Sequence, residues 1–157
     1  MSQNKWDRDY LDLAKFWAEK RSKDPSTKVG AIIVRPDNTV VSLGYNGFPR
    51  GIKDDERLDN REEKNRLTVH AEINSIHNSR EVLEGYTLYV WPPSFHCPTC
   101  DQCALHVIQK GIKRVVGYKA NNLPYIRNNI PYALRWKESN ILAMYSYREA
   151  GVEVVMI

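Results

Sequence analysis

Apolar positions along the chain follow two periods, one near 3.6 residues and one of 2. Tyr10, Leu13, Ala14 and Trp17 recur at helical spacing, which predicts an amphipathic helix over about Asp7 to Arg21. Asp24-Pro25-Ser26 ends it. Val29 to Val34 is a short apolar run rich in β-branched residues, Pro36-Asp37-Asn38 turns the chain, and Val40 to Tyr45 runs back, so the two segments form a β-hairpin. Gly47 to Arg66 reads as a long polar loop, with Gly47, Pro49 and Gly51 near its start, and long loops in compact domains are often functional. Thr68 is placed to cap a helix that begins near His70 and continues through Ile73 and Ile76 to about Ser79. Gly85 precedes a strand from Tyr86 to Trp91, which Pro92-Pro93 stops. A further helix carries Cys103, Ala104, Val107 and Ile108 and ends at Gly111.

The last third repeats a unit. Lys110-Gly111-Ile112-Lys113-Arg114-Val115-Val116 closes one helix and opens a strand, and Ala150-Gly151-Val152-Glu153-Val154-Val155 does the same. Two such units in succession suggest parallel strands joined by a helical crossover, here roughly Tyr132 to Ala150. The order α-β-β-α-β-α-β-α-β gives an α/β fold of three layers, a mixed five-stranded sheet with helices on both faces. Residues 1–157 read as a single domain, the ordinary size for one core.

Composition narrows the possibilities. Charged residues are 27% and apolar residues 42%, a globular balance. A net charge of +4 is mild; it fits a solvated surface or a site for an anion such as phosphate, and no dense basic arm for nucleic acid is present. No apolar run approaches a membrane span. Met1 to Asp7 lacks an apolar signal region, which argues against export. Cys97, Cys100 and Cys103 lie within seven residues; an odd, clustered set fits metal binding better than disulfides and points to a reducing cytoplasm.

The chemistry concentrates in two short motifs, His70-Ala71-Glu72 and Cys100-Asp101-Gln102-Cys103. Zinc favours tetrahedral nitrogen and sulfur ligands, and a catalytic zinc keeps one position open for water. His70, Cys100 and Cys103 fill three positions, and Glu72, two residues from His70, can move protons on and off that water. Each motif should open a helix, whose N-terminal partial charge favours thiolates. A purely structural zinc would need a fourth protein ligand, for which His96, His106 and Cys97 are the candidates. Cys97-Pro98-Thr99-Cys100 is itself a Cys-x-x-Cys and leaves a second pairing of cysteines open.

These motifs and their surroundings resemble the deoxycytidylate deaminases of the cytidine deaminase superfamily. The resemblance covers about Trp6 to Val155 and rests on Lys20 to Ala31, the glycine-rich Gly44-Tyr45-Asn46-Gly47-Phe48-Pro49-Arg50-Gly51, the zinc helix from His70 to Ile76 with Asn74, and Cys103-Ala104 followed by Ile108 to Lys113. The family usually places Pro directly before its first ligand cysteine. Here Thr99 stands there, and Ser94 to Thr99 looks like a short insertion.

The resemblance implies a cytidine-deaminase-like fold and zinc-dependent hydrolysis of dCMP to dUMP and ammonia, supplying dTTP synthesis. It implies that His70, Cys100 and Cys103 hold Zn²⁺, that Glu72 shuttles protons, and that the Ala71 N–H contacts the base O2. Asn46 is implied at the sugar, and Arg21, Lys23 and Ser26 are candidates for the phosphate. It further implies a homohexamer regulated by dCTP, and by dTTP with Mg²⁺, at a site involving Asn46, Gly47 and Gly51. A related tRNA adenosine deaminase shares the same zinc centre; Asn74 and the Gly-Tyr-Asn-Gly segment favour the mononucleotide enzyme. A non-catalytic zinc-stabilised binding module is the alternative of another class. Among the aromatic residues, Trp6, Trp17 and Trp136 read as core or interface, and Trp91, at a strand end, as the one placed to meet substrate.

Overall fold

The computed structural model describes residues 3–120 and 136–157. Helix α1 spans Gln3–Arg21 and starts four residues ahead of the expected position. Two i,i+4 contacts account for the extra turn: Gln3 donates to Asp7 at 3.2 Å, and the Trp6 ring stacks on Tyr10 at 5.7 Å. Strands β1 (Gly30–Val34) and β2 (Val40–Tyr45) form the expected antiparallel hairpin. Strand β3 (Thr87–Ser94) lies antiparallel on the other side of β1, and β4 (Arg114–Lys119) and β5 (Glu153–Met156) follow in parallel. The sheet order is β2-β1-β3-β4-β5, a mixed five-stranded sheet.

Pleating sorts the side chains. From β1, β3 and β4, Ile32, Val34, Tyr89, Trp91 and Val116 pack with Tyr10, Leu11, Ala14 and Ala18 of α1. Ala31, Ile33, Leu88, Val90 and Val115 point the other way. There they meet α3 (Ala71–Asn78), α4 (Asp101–Gln109) and α5 (Lys137–Ala150) through Ala71, Ile76, Ala104, Val107, Ala143 and Tyr147. The three-layer arrangement is the one expected. The α1 layer is also tied by a buried ion pair: Arg114 donates to both Asp7 oxygens at 2.7 Å, and Tyr89 donates to Asp7 at 2.8 Å. Burial alone would raise the Asp7 carboxyl; Arg114 and Tyr89 overcome it and hold it low.

Three expectations are corrected. Pro92 and Pro93 do not stop β3, which runs on to Ser94. β1 pairs with β3 only as far as Trp91, and the β4 ladder skips from Val90 to Ser94, so neither proline has to supply an N–H. The stretch read as a long polar loop contains a 3₁₀ turn (Glu56–Asp59) and helix α2 (Arg61–Leu67). Asn60 caps α2 by accepting from the Glu63 N–H at 3.2 Å, half of the Asn-x-x-Glu capping signature. Thr68 does not cap the next helix: its hydroxyl donates back to Lys64 O, and His70 occupies the N-cap of α3. The crossover helix is described from Lys137, with 132–135 outside the described residues. It closes on Gly151, whose φ of 74° is the left-handed stop expected of a glycine there.

One close approach sets the site. A Cβ on Gly44 of β2 would lie 2.3 Å from Ala71 O and 2.5 Å from Ser75 N. The bare glycine lets the start of α3 sit directly on β2. Asn74 secures it by donating to Tyr45 O at 2.8 Å, and Ser42 donates to Ser75 O at 2.7 Å.

Candidate metal centre

Two helix starts converge here. His70 is the N-cap residue of α3 and Cys100 that of α4, both with extended backbone. Cys103, three residues on, shares the face of Cys100 in the first turn of α4, and its N–H donates to the Cys100 sulfur at 3.4 Å. The Cys100 and Cys103 sulfurs lie 3.5 and 3.3 Å from His70 Nδ1, and the three ligand atoms fall within 4.8 Å of one another. Tetrahedral zinc, with bonds of about 2.0–2.3 Å, needs its nitrogen and sulfur ligands roughly 3.5–3.8 Å apart. One imidazole and two sulfurs at this spacing fit zinc in kind and in size.

The three groups interact strongly with one another. A hydrogen bond from Cys103 pulls the Cys100 thiol down to about 4 against its burial, with His70 adding to the effect. The Cys100 sulfur in turn raises the His70 ring to about 9. Cys103 is driven up, first by the hydrogen bond it gives Cys100 and then by burial. Thiolate character therefore gathers at a helix N-terminus, whose partial positive charge stabilises it, and the thiolate is the form that binds a metal ion. Cys97 lies outside the cluster; it is fully buried in the core, and burial pushes its thiol up to about 11.

Glu72 is buried beside the three ligand atoms, accepting from the Cys103 thiol at 3.3 Å. Burial raises its carboxyl above the usual range, opposed by His70. A carboxyl placed beside the open side of the cluster is positioned to act as a general acid–base group.

These residues form one end of a cavity of about 320 Å³. His70, Ala71, Glu72 and Cys100 line that end, with Trp136 standing edge-on to the His70 ring at 6.1 Å. Asp24, Ser26, Arg61 and Lys64 line the other part of the wall. Lys64 is buried and donates to Asp24 Oδ1 at 3.0 Å and to Ser26 Oγ at 2.7 Å. Burial would raise the Asp24 carboxyl; the N–H groups of Thr27 and Ser26 and the Lys64 ammonium hold it low instead.

The remaining sequence candidates divide. Asn46 borders the cavity, but its side chain is committed to the neighbouring loop: it accepts from Ser22 at 2.7 Å and the Val29 N–H at 2.8 Å, and donates to Thr27 O at 2.9 Å. Arg21 lies over the Trp17 ring, Lys23 pairs with Asp54 at 3.1 Å with its side chain 68% exposed, and neither lines the cavity. Gly47 exchanges backbone hydrogen bonds with Val69, and Gly51 is exposed in a left-handed turn. Trp91 packs on the α1 side of the sheet, with Lys15 over its ring, and does not reach the cavity. Trp136, read as core or interface, forms part of the wall instead. Arg61, Lys64 and Asn140 were missed; only the Asn60 cap ahead of α2 could have pointed to the first two.

The family model for the cytidine and deoxycytidylate deaminase zinc-binding region matches residues 4–119. The chain belongs to this family. An "uncharacterized deaminase in luxG 3′ region" of Aliivibrio fischeri is 35% identical over 154 residues, 98% of this chain and 95% of that protein. The human deoxycytidylate deaminase is 38% identical over 117 residues, 69% of this chain, which spans 62% of its length. A crystal structure of the dCMP deaminase of cyanophage S-TIM5 shares the fold, with a TM-score of 0.69 at 22% identity over the whole of both chains. The family carries zinc, and the His70, Cys100 and Cys103 cluster is where this deaminase domain can hold it. No described helix is long and apolar enough to cross a membrane.

Proposed function

We propose that this chain is a zinc-dependent hydrolase that converts dCMP and water to dUMP and ammonia. The observation that carries the reading is a buried Glu72 carboxyl against the His70–Cys100–Cys103 cluster in a cavity whose wall also carries Lys64 and Arg61. His70, Cys100 and Cys103 hold the metal, which when bound supplies Lewis acidity and lowers the pKa of water to about 7. Glu72 takes one proton from the attacking water and passes it to N3 of cytosine as C4 is attacked, then takes the second proton from the C4 hydroxyl and gives it to the departing amino group, which leaves as ammonia. The Ala71 N–H, at the first position of α3, faces the cavity as a donor for the base O2. Asn46 holds the loop wall beside the sugar. The 5′-phosphate is met by Ser26, Lys64 and Arg61: two of the three Lys64 donors are used within the protein, which leaves one for a ligand oxygen. Arg21 and Lys23, outside the cavity lining, contribute only to the surrounding field.

The finer reading follows the family resemblance. It has the chain assembling as a homohexamer in the cytoplasm, with dCTP or dTTP and Mg²⁺ acting at the segment of Asn46, Gly47 and Gly51. Gly51 is its exposed part and is free to meet a triphosphate. The test of the reaction is ammonia release from the zinc-loaded protein given dCMP, dCTP, deoxycytidine or tRNA. Release with dCMP well above the other three supports the reading; release only with tRNA replaces it. A dCMP rate curve insensitive to dCTP and dTTP removes the regulatory part alone.

A further inference from the structure

Asn140 stands out among the polar residues of the cavity. It is 95% buried, lying at 5% relative exposure, and it lines the cavity. Its backbone N–H donates to Trp136 O at 2.8 Å as part of the helix. Its carboxamide makes no hydrogen bond to any described residue, whereas the buried Asn46 is committed to the loop of Ser22 to Val29, and Asn65, the other amide on the wall, is exposed. Asn140 is not among the sealed, partnerless polar atoms of the described residues, so its amide opens on the cavity, where a ligand can reach a donor and acceptor that no described residue occupies.

Its position says which part of a ligand that is. Trp136 and Asn140 are one helical turn apart and share a face of the chain segment leading into α5. Trp136 stands against His70, and Asn140, one helical turn further on the same face, lines the cavity beside it. Ser139 fixes the helix there, accepting from the Asp101 N–H at 2.9 Å and donating to the Asp101 carboxylate at 2.6 Å, directly after Cys100. A neutral carboxamide offers one acceptor and two donors, the complement of an amino group beside a ring nitrogen or carbonyl. It suits a heterocyclic base and has no charge for a phosphate.

Resting on the reading of the cavity as a dCMP site, we propose that Asn140 is a specificity-determining contact that hydrogen-bonds the polar edge of the pyrimidine base. Asn140→Leu tests it, because leucine keeps the volume and removes only the amide that faces the cavity. The zinc-loaded variant should bind dUMP about 10-fold more weakly, the scale of one good hydrogen bond. It should bind deoxyribose 5-phosphate, which lacks the base, as the parent chain does. Without nucleotide its Tm should equal or exceed the parent's, since a buried polar group has been replaced by an apolar one. Unchanged dUMP binding overturns the proposal, as does a lowered Tm with both ligands weakened alike, the mark of a purely structural asparagine. If the parent chain neither binds dUMP nor releases ammonia from dCMP, the reading of the site has failed first. If it does both and only the Asn140→Leu result is negative, the inference alone has failed.

Discussion

At the metal end of the cavity the working side chains come in pairs set by helix geometry, His70 with Glu72 at the start of α3 and Cys100 with Cys103 at the start of α4. Elsewhere on the wall, Asp24 and Lys64 meet across 40 residues of chain as a buried ion pair. The metal end is assembled from two local units, each of which positions its own ligands as soon as its helix forms. Its tertiary demand is small: the two helix starts must be brought side by side, and the bare Gly44 seats one of them. The polar part of the wall has no local code and exists only once α2 has packed against the loop of Asp24 to Thr27. The metal end is therefore sensitive to the identity of a few atoms, the polar part to the integrity of a buried ion pair.

Removing one sulfur should break the metal end outright. Cys103→Ser should lose zinc and turnover together, while Cys97→Ser, whose thiol lies outside the cluster, should keep both. Zinc per chain, measured in each variant, decides between the two pairings of cysteines; the reverse pattern would move the site to Cys97 and Cys100.

The polar part should fail through stability. Lys64→Met leaves Asp24 as a buried carboxylate without its cation, an uncompensated charge that typically costs about 3–5 kcal/mol. Thermal melts of Lys64→Met and of the Asp24→Asn/Lys64→Met double variant separate pair from packing, since the double variant should recover much of the loss. Failure to recover would mean that Lys64 acts through its stem.

Arg61→Gln should act on ligand preference instead. Arg61 is exposed at the cavity wall, so its removal should leave Tm unchanged and reduce the preference for dCMP over deoxycytidine about 10-fold, the scale of one charge-assisted hydrogen bond. Equal specificity constants in the parent chain would remove the phosphate from this part of the wall altogether.

The smallest effect concerns acid. The folded-state pKa of Asp24 is lowered from the ordinary 3.8, so its contribution is complete above that value and is lost as pH falls through the folded pKa. Asp24→Asn should flatten the fall of Tm below about pH 4 by a few degrees. An unchanged acid limb would show that the carboxylate is not held low.

The same contrast explains what was legible in the sequence. The short apolar runs of Ala31 to Val34 and Leu88 to Trp91, together with the two helix–Gly–strand junctions, specified the strands and their order along the chain. Strand parity shows that Tyr89 and Trp91 share a face but not which layer covers it, and Trp91 proved to belong to α1. His70-x-Glu72 and Cys100-x-x-Cys103 were readable because two and three residues are fixed distances at a helix start. Lys64 was not readable, because its partner is remote and its helix was hidden in an alternating charged stretch, where the Asn60 cap was the one overlooked signal. The continuation of β3 through two prolines depended on a break in its neighbours' ladders, which is a property of the sheet.

Glu72 is the acid–base group of the metal end, and Glu72→Gln tests the account at that point. With zinc per chain unchanged, ammonia release from saturating dCMP should fall by about 10²–10⁴-fold, the usual contribution of a general acid–base group. A zinc-loaded Glu72→Gln protein that turned over dCMP at the parent rate would contradict it.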